Sequence, residues 1–390
     1  MVNFVVGLDA PSKGAEPRFR YLPMASLYIH IPFCKNKCFY CSFVVAIGKE
    51  HYIDDYLSAL EKETGTYDRP EIESIYIGGG TPSFMDAAQL HRLSRIVREN
   101  FHFQADGEFT LEANPENIDS PKAKAIKEMG VNRVSMGAQS FDERYLKFLG
   151  RTHTAGHIAL AVDCLRKENF TNISLDLMFS FPGQTLEELK KDLKSLTALQ
   201  SEHVSLYSLT IEEGTKFEKQ RVKLDQDTFQ AEHYLCVMDF LEKEGFRQYE
   251  VSNFAKAGFE SRHNRMYWQG ENYIGLGVGA HSHKDGKRFW NTPNVNSYIA
   301  SLQKGERPVE GFEELPLAKR LQEALVFGLR MNEGVNLLEL EKRFGALFSQ
   351  DTRDAMKEFR DAGFFIQDGN RLKTTLKGRL VLDELSARLV

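Results

Sequence analysis

Six strand-like runs alternate with five helical patterns in this chain, and that alternation limits its possible folds more than any other feature. The runs are short and rich in β-branched or aromatic residues. We predict strands at 27–30, 74–77, 108–112, 133–136, 173–177 and 203–209, and helices at 49–64, 86–100, 120–129, 155–167 and 185–199. Repeated strand-helix-strand units form a parallel sheet with right-handed crossovers. The sequence therefore predicts an α/β fold, a partial (β/α)6, TIM-like barrel.

The pattern changes after about residue 300. Helical stretches at 317–331, 337–343 and 352–362 precede a hairpin pattern at 364–373, in which Asp368-Gly369 is a strong turn signal, and a last helix follows from Leu376. We predict three regions: an N-terminal extension at 1–23, the barrel at 24–300 and a helical, winged-helix-like domain at 301–390. Winged-helix folds often bind DNA, but this region has no strong basic bias, which favours a docking or lid role.

Composition argues against several partners and compartments. The net charge of −5 disfavours a surface built for nucleic acid or anionic lipid. No run approaches the ~20 apolar residues that span a bilayer, and residues 1–23 lack the order of a signal peptide. Five cysteines, three of them crowded together, do not form an even-numbered disulfide framework. We therefore expect a reducing, cytoplasmic location, with Cys164 and Cys236 as packing residues.

Three closely spaced cysteines predict a metal-cluster site. Cys34, Cys38 and Cys41 follow the first predicted strand with the spacing C-x3-C-x2-C. Three such thiolates can each bind one iron of a cubane [4Fe-4S] cluster, which leaves the fourth iron without a protein ligand. A structural zinc site is the alternative, but it usually needs two C-x2-C pairs, and the sequence has no second pair downstream.

Other informative segments also follow predicted strands. Segment 78–82, Gly-Gly-Gly-Thr-Pro, comes after the second strand, and Glu112, Gln139 and Asp176 lie on or next to later strands. Reactive residues of such barrels lie on loops after the carboxyl ends of strands, so we expect these segments to meet. Taken alone, the glycines could form an ordinary turn. The polar residues, with Arg151, could likewise satisfy one another inside the barrel.

The cysteine spacing and the glycine segment together resemble the radical S-adenosylmethionine superfamily. An open iron can chelate adjacent amino and carboxylate groups, which S-adenosylmethionine carries. In that superfamily the reduced cluster cleaves the sulfonium to give a 5′-deoxyadenosyl radical. Glycines would let the backbone approach the ligand, Arg151 would bind its carboxylate, and acidic side chains would bind its ribose or amine.

A narrower resemblance covers residues 24–390. Segments 27–34, 137–141, 150–153, 182–185 and 249–254 are similar to the branch containing oxygen-independent coproporphyrinogen III oxidase and the HemW-type haem chaperones. The resemblance implies S-adenosylmethionine contacts at Tyr28, Tyr40, Gly79, Gly80, Thr81, Glu112, Gln139, Arg151, Asp176 and Thr210. One departure is Phe179-Ser180-Phe181, where relatives carry Tyr-Gly-Leu, which predicts an altered turn.

Two details favour the chaperones over the oxidases. Oxidases of this branch have a fourth cysteine where this chain has Phe43, and the segment 263–268, His-Asn-Arg-Met-Tyr-Trp, resembles the chaperone signature H-N-x-x-Y-W. A neutral imidazole can bind haem iron and aromatic rings can face a porphyrin, so we predict a haem site at His263, Tyr267 and Trp268. A hydrogen-bonded core histidine is the alternative. His281 and His283 are competing ligands or parts of a tight loop.

The leading hypothesis is a haem chaperone with three cofactors or ligands: a [4Fe-4S] cluster, S-adenosylmethionine and haem. The resemblance implies haem-acceptor proteins as partners, membrane-bound respiratory proteins among them, and an electron donor such as flavodoxin or ferredoxin. The rival hypothesis is radical-mediated decarboxylation of coproporphyrinogen III. We expect no nucleic-acid partner.

Overall fold

The computed structural model describes residues 25–390, so the predicted extension at 1–23 lies outside the described residues. Twelve strands form one large sheet, and two smaller sheets accompany it. The strands are β1 (Ala25–Ile31), β2 (Phe33–Cys34), β3 (Ala46–Ile47), β4 (Glu71–Gly79), β5 (His102–Ala113), β6 (Arg133–Gln139), β7 (Ile173–Phe179), β8 (His203–Ser208), β9 (Arg247–Glu250), β10 (Asn253–Ala255), β11 (Tyr273–Leu276), β12 (His281–Lys284), β13 (Lys287–Asn291), β14 (Val309–Glu314), β15 (Val335–Asn336), β16 (Phe365–Asp368) and β17 (Arg371–Thr374).

The α-helices lie mostly between these strands. They are α1 (Ile53–Thr64), α2 (Ala87–Asn100), α3 (Ser120–Glu128), α4 (Glu143–Leu149), α5 (Ala155–Lys167), α6 (Leu186–Ala198), α7 (Lys216–Lys219), α8 (Asp227–Lys243), α9 (Arg262–Trp268), α10 (Val295–Gln303), α11 (Leu317–Gly328), α12 (Leu337–Phe344), α13 (Gln350–Asp361), α14 (Leu376–Arg379) and α15 (Leu382–Ala387). The five predicted barrel helices correspond to α1, α2, α3, α5 and α6.

The large sheet is parallel in its middle and antiparallel at its flanks. Its parallel strands run in the order β11, β1, β4, β5, β6, β7, β8, so all six predicted strands are present in sequence order. Strands β12, β13 and β14 continue the sheet beyond β11, and β10 and β9 continue it beyond β8. The α/β partial-barrel prediction is confirmed, but it missed β11 as a seventh parallel strand and both antiparallel flanks.

Alternation along each strand separates the core from the inner surface of the sheet. In β1, Leu27, Ile29 and Ile31 are fully buried in the main hydrophobic core, whereas the side chains of Ser26 and Tyr28 alternate with them. Aliphatic faces of this kind pack against the helices outside the sheet. The opposite, concave face, which we call the bore, therefore carries the polar and aromatic residues.

The C-terminal domain has its own hydrophobic core. Leu321, Leu325 and Phe365 belong to a second buried cluster, and β15, β17 and β16 form a small antiparallel sheet. Helices α11 to α13, the hairpin of β16 and β17, and the two short helices α14 and α15 agree with the predicted winged-helix-like architecture, in which one last helix was expected. Strand β14 still belongs to the large sheet, so that sheet extends past the predicted boundary at residue 300.

Cys164 lies buried in the main core, Cys236 is half-buried, and all five cysteines are free. Among residues 25–390, no helix is both long enough and apolar enough to cross a bilayer.

Candidate functional site

The residues predicted to hold the cofactors gather at the carboxyl ends of five neighbouring strands. Segment 34–41 follows β1, segment 78–82 ends β4, Glu112 lies near the end of β5, Gln139 ends β6 and Asp176 lies within β7. These strands are adjacent in the sheet in this order. The structure therefore brings the predicted segments to one edge, which we call the rim.

Local contacts hold the cysteine loop in place. Strand β2 pairs in parallel with β3, which joins the two ends of the loop. In the middle of the loop, the Phe39 amide donates to the Leu149 carbonyl over 2.9 Å, and the Phe39 carbonyl accepts from the Phe217 amide over 3.0 Å. These protein contacts position the loop.

Two glycines at the end of β4 allow the cysteine loop to lie against that strand. Gly79 has a φ of +110°, and a Cβ atom there would come within 2.5 Å of the His30 ring. A Cβ on Gly80 would come within 2.7 Å of Pro32 and 2.9 Å of the Cys34 sulfur. The segment therefore does more than turn the chain, because any side chain at Gly80 would displace the first cysteine.

The three thiols lie close enough to influence one another. Burial raises the pKa of Cys34 to about 11, a hydrogen bond from Thr81 opposes this rise, and the charges of Cys41 and Cys38 add to it. The Cys34 sulfur lies 3.2 Å from the Thr81 hydroxyl, and Arg151 donates to the Cys38 sulfur over 3.6 Å. Because iron binds thiolates, cluster assembly here would release protons.

Within residues 25–390, no three His, Cys, Asp or Glu side chains converge closely enough to hold a single metal ion. A cubane cluster makes a different demand, because each cysteine binds a different iron and the sulfur atoms remain apart. The donor types, the loop held ready by protein contacts and the side-chain-free edge at Gly80 all fit such a cluster.

Arg151 and Asn114 line a cavity beside the cysteine loop, together with Cys38 and Thr81. The Arg151 guanidinium donates to the Asn114 side-chain oxygen over 2.8 Å and to the Gly137 carbonyl over 2.9 Å. Asn114 also donates to Thr81 over 3.2 Å. These two acceptors are neutral, and the Glu116 carboxylate also lies near the guanidinium. A cationic group in this cavity suits an anionic ligand group such as a carboxylate.

Burial disfavours the charged forms of the acidic residues at the rim. Glu112 accepts from Tyr76 over 2.7 Å and from the Gly79 amide over 3.0 Å. Burial nevertheless raises the pKa of Glu112 to about 7, and the nearby Asp176 carboxylate contributes to the rise. Burial also raises the pKa of Asp176, which accepts from Ser135 over 3.1 Å. Positive or hydrogen-bond-donating groups of a ligand would stabilise these two carboxylates.

The remaining predicted contacts differ in their surroundings. Gln139 has a φ of +65°, a sparsely populated conformation for a non-glycine residue, and such conformations cluster at ligand sites. Tyr28 stacks on Tyr76 with ring centres 6.2 Å apart. Tyr40 lies beside Arg151 and the thiols, whereas Thr210 is exposed on the segment after β8. The S-adenosylmethionine contacts remain predictions.

Comparisons with known proteins identify the family. The model of the radical SAM superfamily matches residues 28–196, and that of the HemN C-terminal domain matches residues 315–381. The chain is 36% identical to the protein named "Heme chaperone HemW" of Bacillus subtilis, across 93% of this chain and 98% of that relative. It is 37% identical to the Lactococcus lactis protein of the same name, across 90% of this chain and 94% of that relative.

The chain belongs to the HemW family. A vertebrate relative from Danio rerio, the mitochondrial "Radical S-adenosyl methionine domain-containing protein 1", is 34% identical across 93% of this chain and 86% of its own length. Among solved structures, coproporphyrinogen III oxidase (HemN) of Escherichia coli aligns with a TM-score of 0.84 and 23% identity, covering 94% of this chain and 90% of that one. At this identity the structural match shows a shared fold.

The HemW-like signature forms the short helix α9, and its histidine points into the bore. His263 is 1% exposed, and its two ring nitrogens lie 2.9 Å from the Ser74 hydroxyl and 3.2 Å from the Tyr267 hydroxyl. Burial lowers the pKa of His263 to about 3, so the ring is neutral. This arrangement matches the alternative of a hydrogen-bonded core histidine. Haem iron would reach His263 only if the ring lost a hydrogen bond.

The three predicted haem residues do not converge. His263 and Tyr267 pack edge to face with ring centres 5.0 Å apart, but Trp268 faces the C-terminal domain. There the Arg330 guanidinium lies 4.7 Å from the Trp268 ring centre, and Phe327 lies 6.4 Å away. Successive helix positions point in different directions, so one porphyrin face would not meet all three rings.

The competing histidines lie on strand β12, at the edge of the bore. His283 is half-buried, and its Nδ1 lies 3.2 Å from the Glu271 carbonyl oxygen. His281 is exposed and stacks on Trp290 with ring centres 5.6 Å apart.

The sequence analysis missed three residues that organise the bore. Glu108 holds the start of α9, Tyr76 bonds to Glu112, and the Arg133 side chain is buried at 1% exposure. Each faces the bore because it alternates with core residues along its strand. Counting positions along predicted strands β4, β5 and β6 would have placed all three on the same face as Glu112.

Proposed function

We propose that this chain is a cytoplasmic haem chaperone that binds haem and passes it to acceptor proteins. The observation that carries the proposal is the similarity to the Bacillus subtilis haem chaperone, which spans nearly the full length of both chains. Phe43 supports it, because this residue stands where the related oxidases have a further cysteine.

In this proposal Cys34, Cys38 and Cys41 hold a [4Fe-4S] cluster at the rim, and the fourth iron binds S-adenosylmethionine. When bound, the cluster supplies an electron for cleaving the sulfonium. Arg151 binds the carboxylate of the methionine group, and Glu112 and Asp176 bind hydrogen-bond donors of the nucleoside. Burial of these side chains strengthens each interaction, because water does not compete.

We propose that the barrel carries the cofactors and that the C-terminal domain, at 301–390, serves as a lid or docking domain. Arg265 on α9 bonds to Glu333 of that domain over 2.8 Å, which supports coupling between the bore and the C-terminal domain. The acceptor would be a haem protein, with membrane-bound respiratory proteins as candidates. Flavodoxin or ferredoxin would reduce the cluster.

Oxidative decarboxylation of coproporphyrinogen III is the second candidate function. It is favoured by the fold shared with Escherichia coli HemN. The two functions differ in their cargo, because the chaperone binds haem without changing it and the oxidase consumes a porphyrinogen.

The test starts with anaerobic reconstitution of the cluster. Haem is then titrated into the protein, transfer to an apo-acceptor is followed by absorbance, and coproporphyrinogen turnover is measured with and without S-adenosylmethionine. Stoichiometric haem binding and transfer without decarboxylation support the proposal. Sustained turnover of coproporphyrinogen would replace it with the oxidase function.

A further inference from the structure

Exposed lysines lie on and beside the cysteine loop. Lys37 directly precedes Cys38, and Lys216 and Lys219 lie on α7, in the segment that follows β8. All three lysines are exposed, and within residues 25–390 none of them has a carboxylate oxygen within 4.0 Å. We call these three residues the lysine patch. Their charges are therefore available to a partner, although the whole chain has a net charge of −5.

The lysine patch lines a cavity of about 320 Å³. The rest of its lining consists of Cys38, Phe39 and Gly214, so no acidic side chain lines it. The cavity therefore presents only positive charge to an incoming group, directly beside one of the predicted cluster ligands.

The nearby acidic side chains have hydrogen-bond donors of their own. Glu218 on α7 accepts from the Gly214 amide over 2.7 Å, and Glu212 accepts from the Thr210 hydroxyl over 2.9 Å. These carboxylates weaken the positive charge of the segment, but neither of them lines the cavity. The cationic surface is thus confined to the side of α7 that meets the cysteine loop.

Packing holds the lysines against the cysteine loop. Phe217 is buried, and its amide donates to the Phe39 carbonyl over 3.0 Å. The Phe39 and Phe217 rings pack edge to face with centres 6.2 Å apart, and the Lys216 ammonium lies 3.5 Å from the centre of the Phe39 ring. Because Phe39 follows Cys38, the patch keeps a fixed position next to the cluster ligands.

We propose that the lysine patch is the docking surface for an acidic electron-carrier protein that reduces the cluster. The inference rests on the cluster of the proposed function and assigns the contact surface of its electron donor. One electron passes from the reduced carrier to the cluster, so the carrier is oxidised by one electron, the cluster is reduced by one, and no atom is transferred.

Two physical arguments favour such a carrier. Electron transfer weakens steeply with distance, so a donor has to dock close to the cluster, and the patch adjoins Cys38. Electron-transfer complexes are also brief and bury little surface, so a few unpaired charges that steer the encounter are sufficient. The net charge of −5 disfavours a broad nucleic-acid or lipid surface but is compatible with a small local patch.

Cys38 also lines the cavity that contains Arg151, where the S-adenosylmethionine carboxylate is proposed to bind. The Arg151 cavity and the cavity of the lysine patch share Cys38 and no other lining residue. A carrier docked on the patch would therefore approach the cluster without occupying the proposed cofactor cavity.

The test is a titration of oxidised flavodoxin into the full-length, cluster-reconstituted protein, followed by calorimetry at about 50 mM and about 300 mM salt. The variant combines Lys37→Gln, Lys216→Gln and Lys219→Gln. We expect it to bind flavodoxin about tenfold more weakly at low salt and to show a smaller salt dependence than the wild type. Reduction of its cluster by limiting reduced flavodoxin should slow about tenfold, whereas reduction by dithionite should keep its rate.

The matched control combines Lys62→Gln, Lys194→Gln and Lys357→Gln. These lysines are also exposed, and within residues 25–390 they also lack a carboxylate partner, but they lie on α1, α6 and α13. The control makes the same change in net charge and should bind flavodoxin as the wild type does. Iron and sulfide analysis verifies the cluster in each protein.

A second variant avoids the cysteine loop in case Lys37→Gln affects cluster assembly. It carries only Lys216→Gln and Lys219→Gln, and it should weaken flavodoxin binding in the same direction. Vesicles containing phosphatidylglycerol are titrated in parallel, because an anionic membrane is the other surface that such lysines could contact.

Three results would overturn the inference: lysine variants that bind flavodoxin as tightly as the wild type, a wild type that does not bind flavodoxin, or vesicle binding that depends on the patch while flavodoxin binding does not. In each case the proposed chaperone function stands if the same proteins bind and transfer haem. If the wild type binds no haem but docks flavodoxin through the patch, the proposed function fails and this inference stands.

Discussion

The rim and the part of the bore around Glu108 and the start of α9, which we call the lower bore, both bury carboxylates, and they do so in opposite ways. Glu108 and Glu112 lie four residues apart on β5 and face the same side of the sheet. Glu108 accepts three hydrogen bonds, from the Ser261 hydroxyl and from the amides of Arg262 and His263, at 3.0 to 3.1 Å. Glu112 has two donors and the nearby Asp176 carboxylate, and its pKa rises to about 7.

The difference teaches how to separate structural from ligand-binding polar residues in this family. The lower bore uses its acid to hold the first turn of α9, where amide groups otherwise lack partners. The rim leaves its acid in an unfavourable environment that a ligand would improve. His263 belongs to the lower bore by this criterion, and the cysteines belong to the rim.

The largest expected effect is the loss of the cluster from the rim without any loss of folding stability. We expect Cys38→Ala to lose the broad visible absorbance of the reconstituted cluster, because the remaining cysteines hold only two irons. Its urea unfolding without metal should match that of the wild type, since Phe39 and strands β2 and β3 position the loop. A variant without cooperative unfolding would contradict the independence of the rim from the core.

Glu108→Gln should destabilise the lower bore. The substitution removes a charge that accepts three hydrogen bonds, and we expect the free energy of unfolding to fall by about 2–3 kcal/mol. Urea denaturation measures the change, and Glu99→Gln, at an exposed helix position, is the control. Equal midpoints for the two variants would mean that Glu108 does not hold α9.

Glu112→Gln should increase the free energy of unfolding at pH 8, the opposite of the effect expected for Glu108→Gln. The pKa of Glu112 rises from 4.5 to about 7 on folding, so between these values the unfolded chain releases a proton that the folded chain keeps, and stability falls as pH rises. At pH 8 the neutral glutamine should stabilise the cofactor-free protein by about 1–3 kcal/mol, and the gain should vanish below pH 4.5. If the variant is less stable than the wild type at pH 8, Glu112 stabilises the fold as Glu108 does.

Trp268→Ala should weaken the contact with the C-terminal domain. Loss of the packing against Arg330 and Phe327 should reduce the free energy of unfolding by about 1–2 kcal/mol. Trp268→Phe is the matched variant, because it keeps an aromatic ring at this position. Thermal unfolding compares the two, and identical midpoints would show that the ring does not hold the domains together.

The parallel strands were predictable because each is a short β-branched run bounded by turn residues, and α5 was predicted with its observed bounds, 155–167. Strands β11 to β14 were missed because their alternation includes Gly275 and several charged residues, which weakens the apolar pattern. The altered turn expected at Ser180 stays a prediction; Ser180 has a φ of +59°, a conformation that glycine adopts without strain and serine rarely does.

The surroundings of the predicted haem residues could not be read from the sequence, because they depend on tertiary contacts. His263 bonds to Ser74, 189 positions away in sequence, and this contact exists only after β4 and α9 have come together. Trp268 faces a domain whose position depends on tertiary packing. The cysteines were recognisable because their chemistry depends on local spacing, which the sequence does contain.

The central claim is that Cys34, Cys38 and Cys41 share one cluster with an iron open to S-adenosylmethionine. The most direct measurement is iron and sulfide analysis of the reconstituted protein, followed by EPR of the reduced cluster before and after S-adenosylmethionine is added. We expect about four iron and four sulfide per chain and a changed EPR signal on addition. One zinc without sulfide, or a cluster whose signal ignores S-adenosylmethionine, would contradict the account.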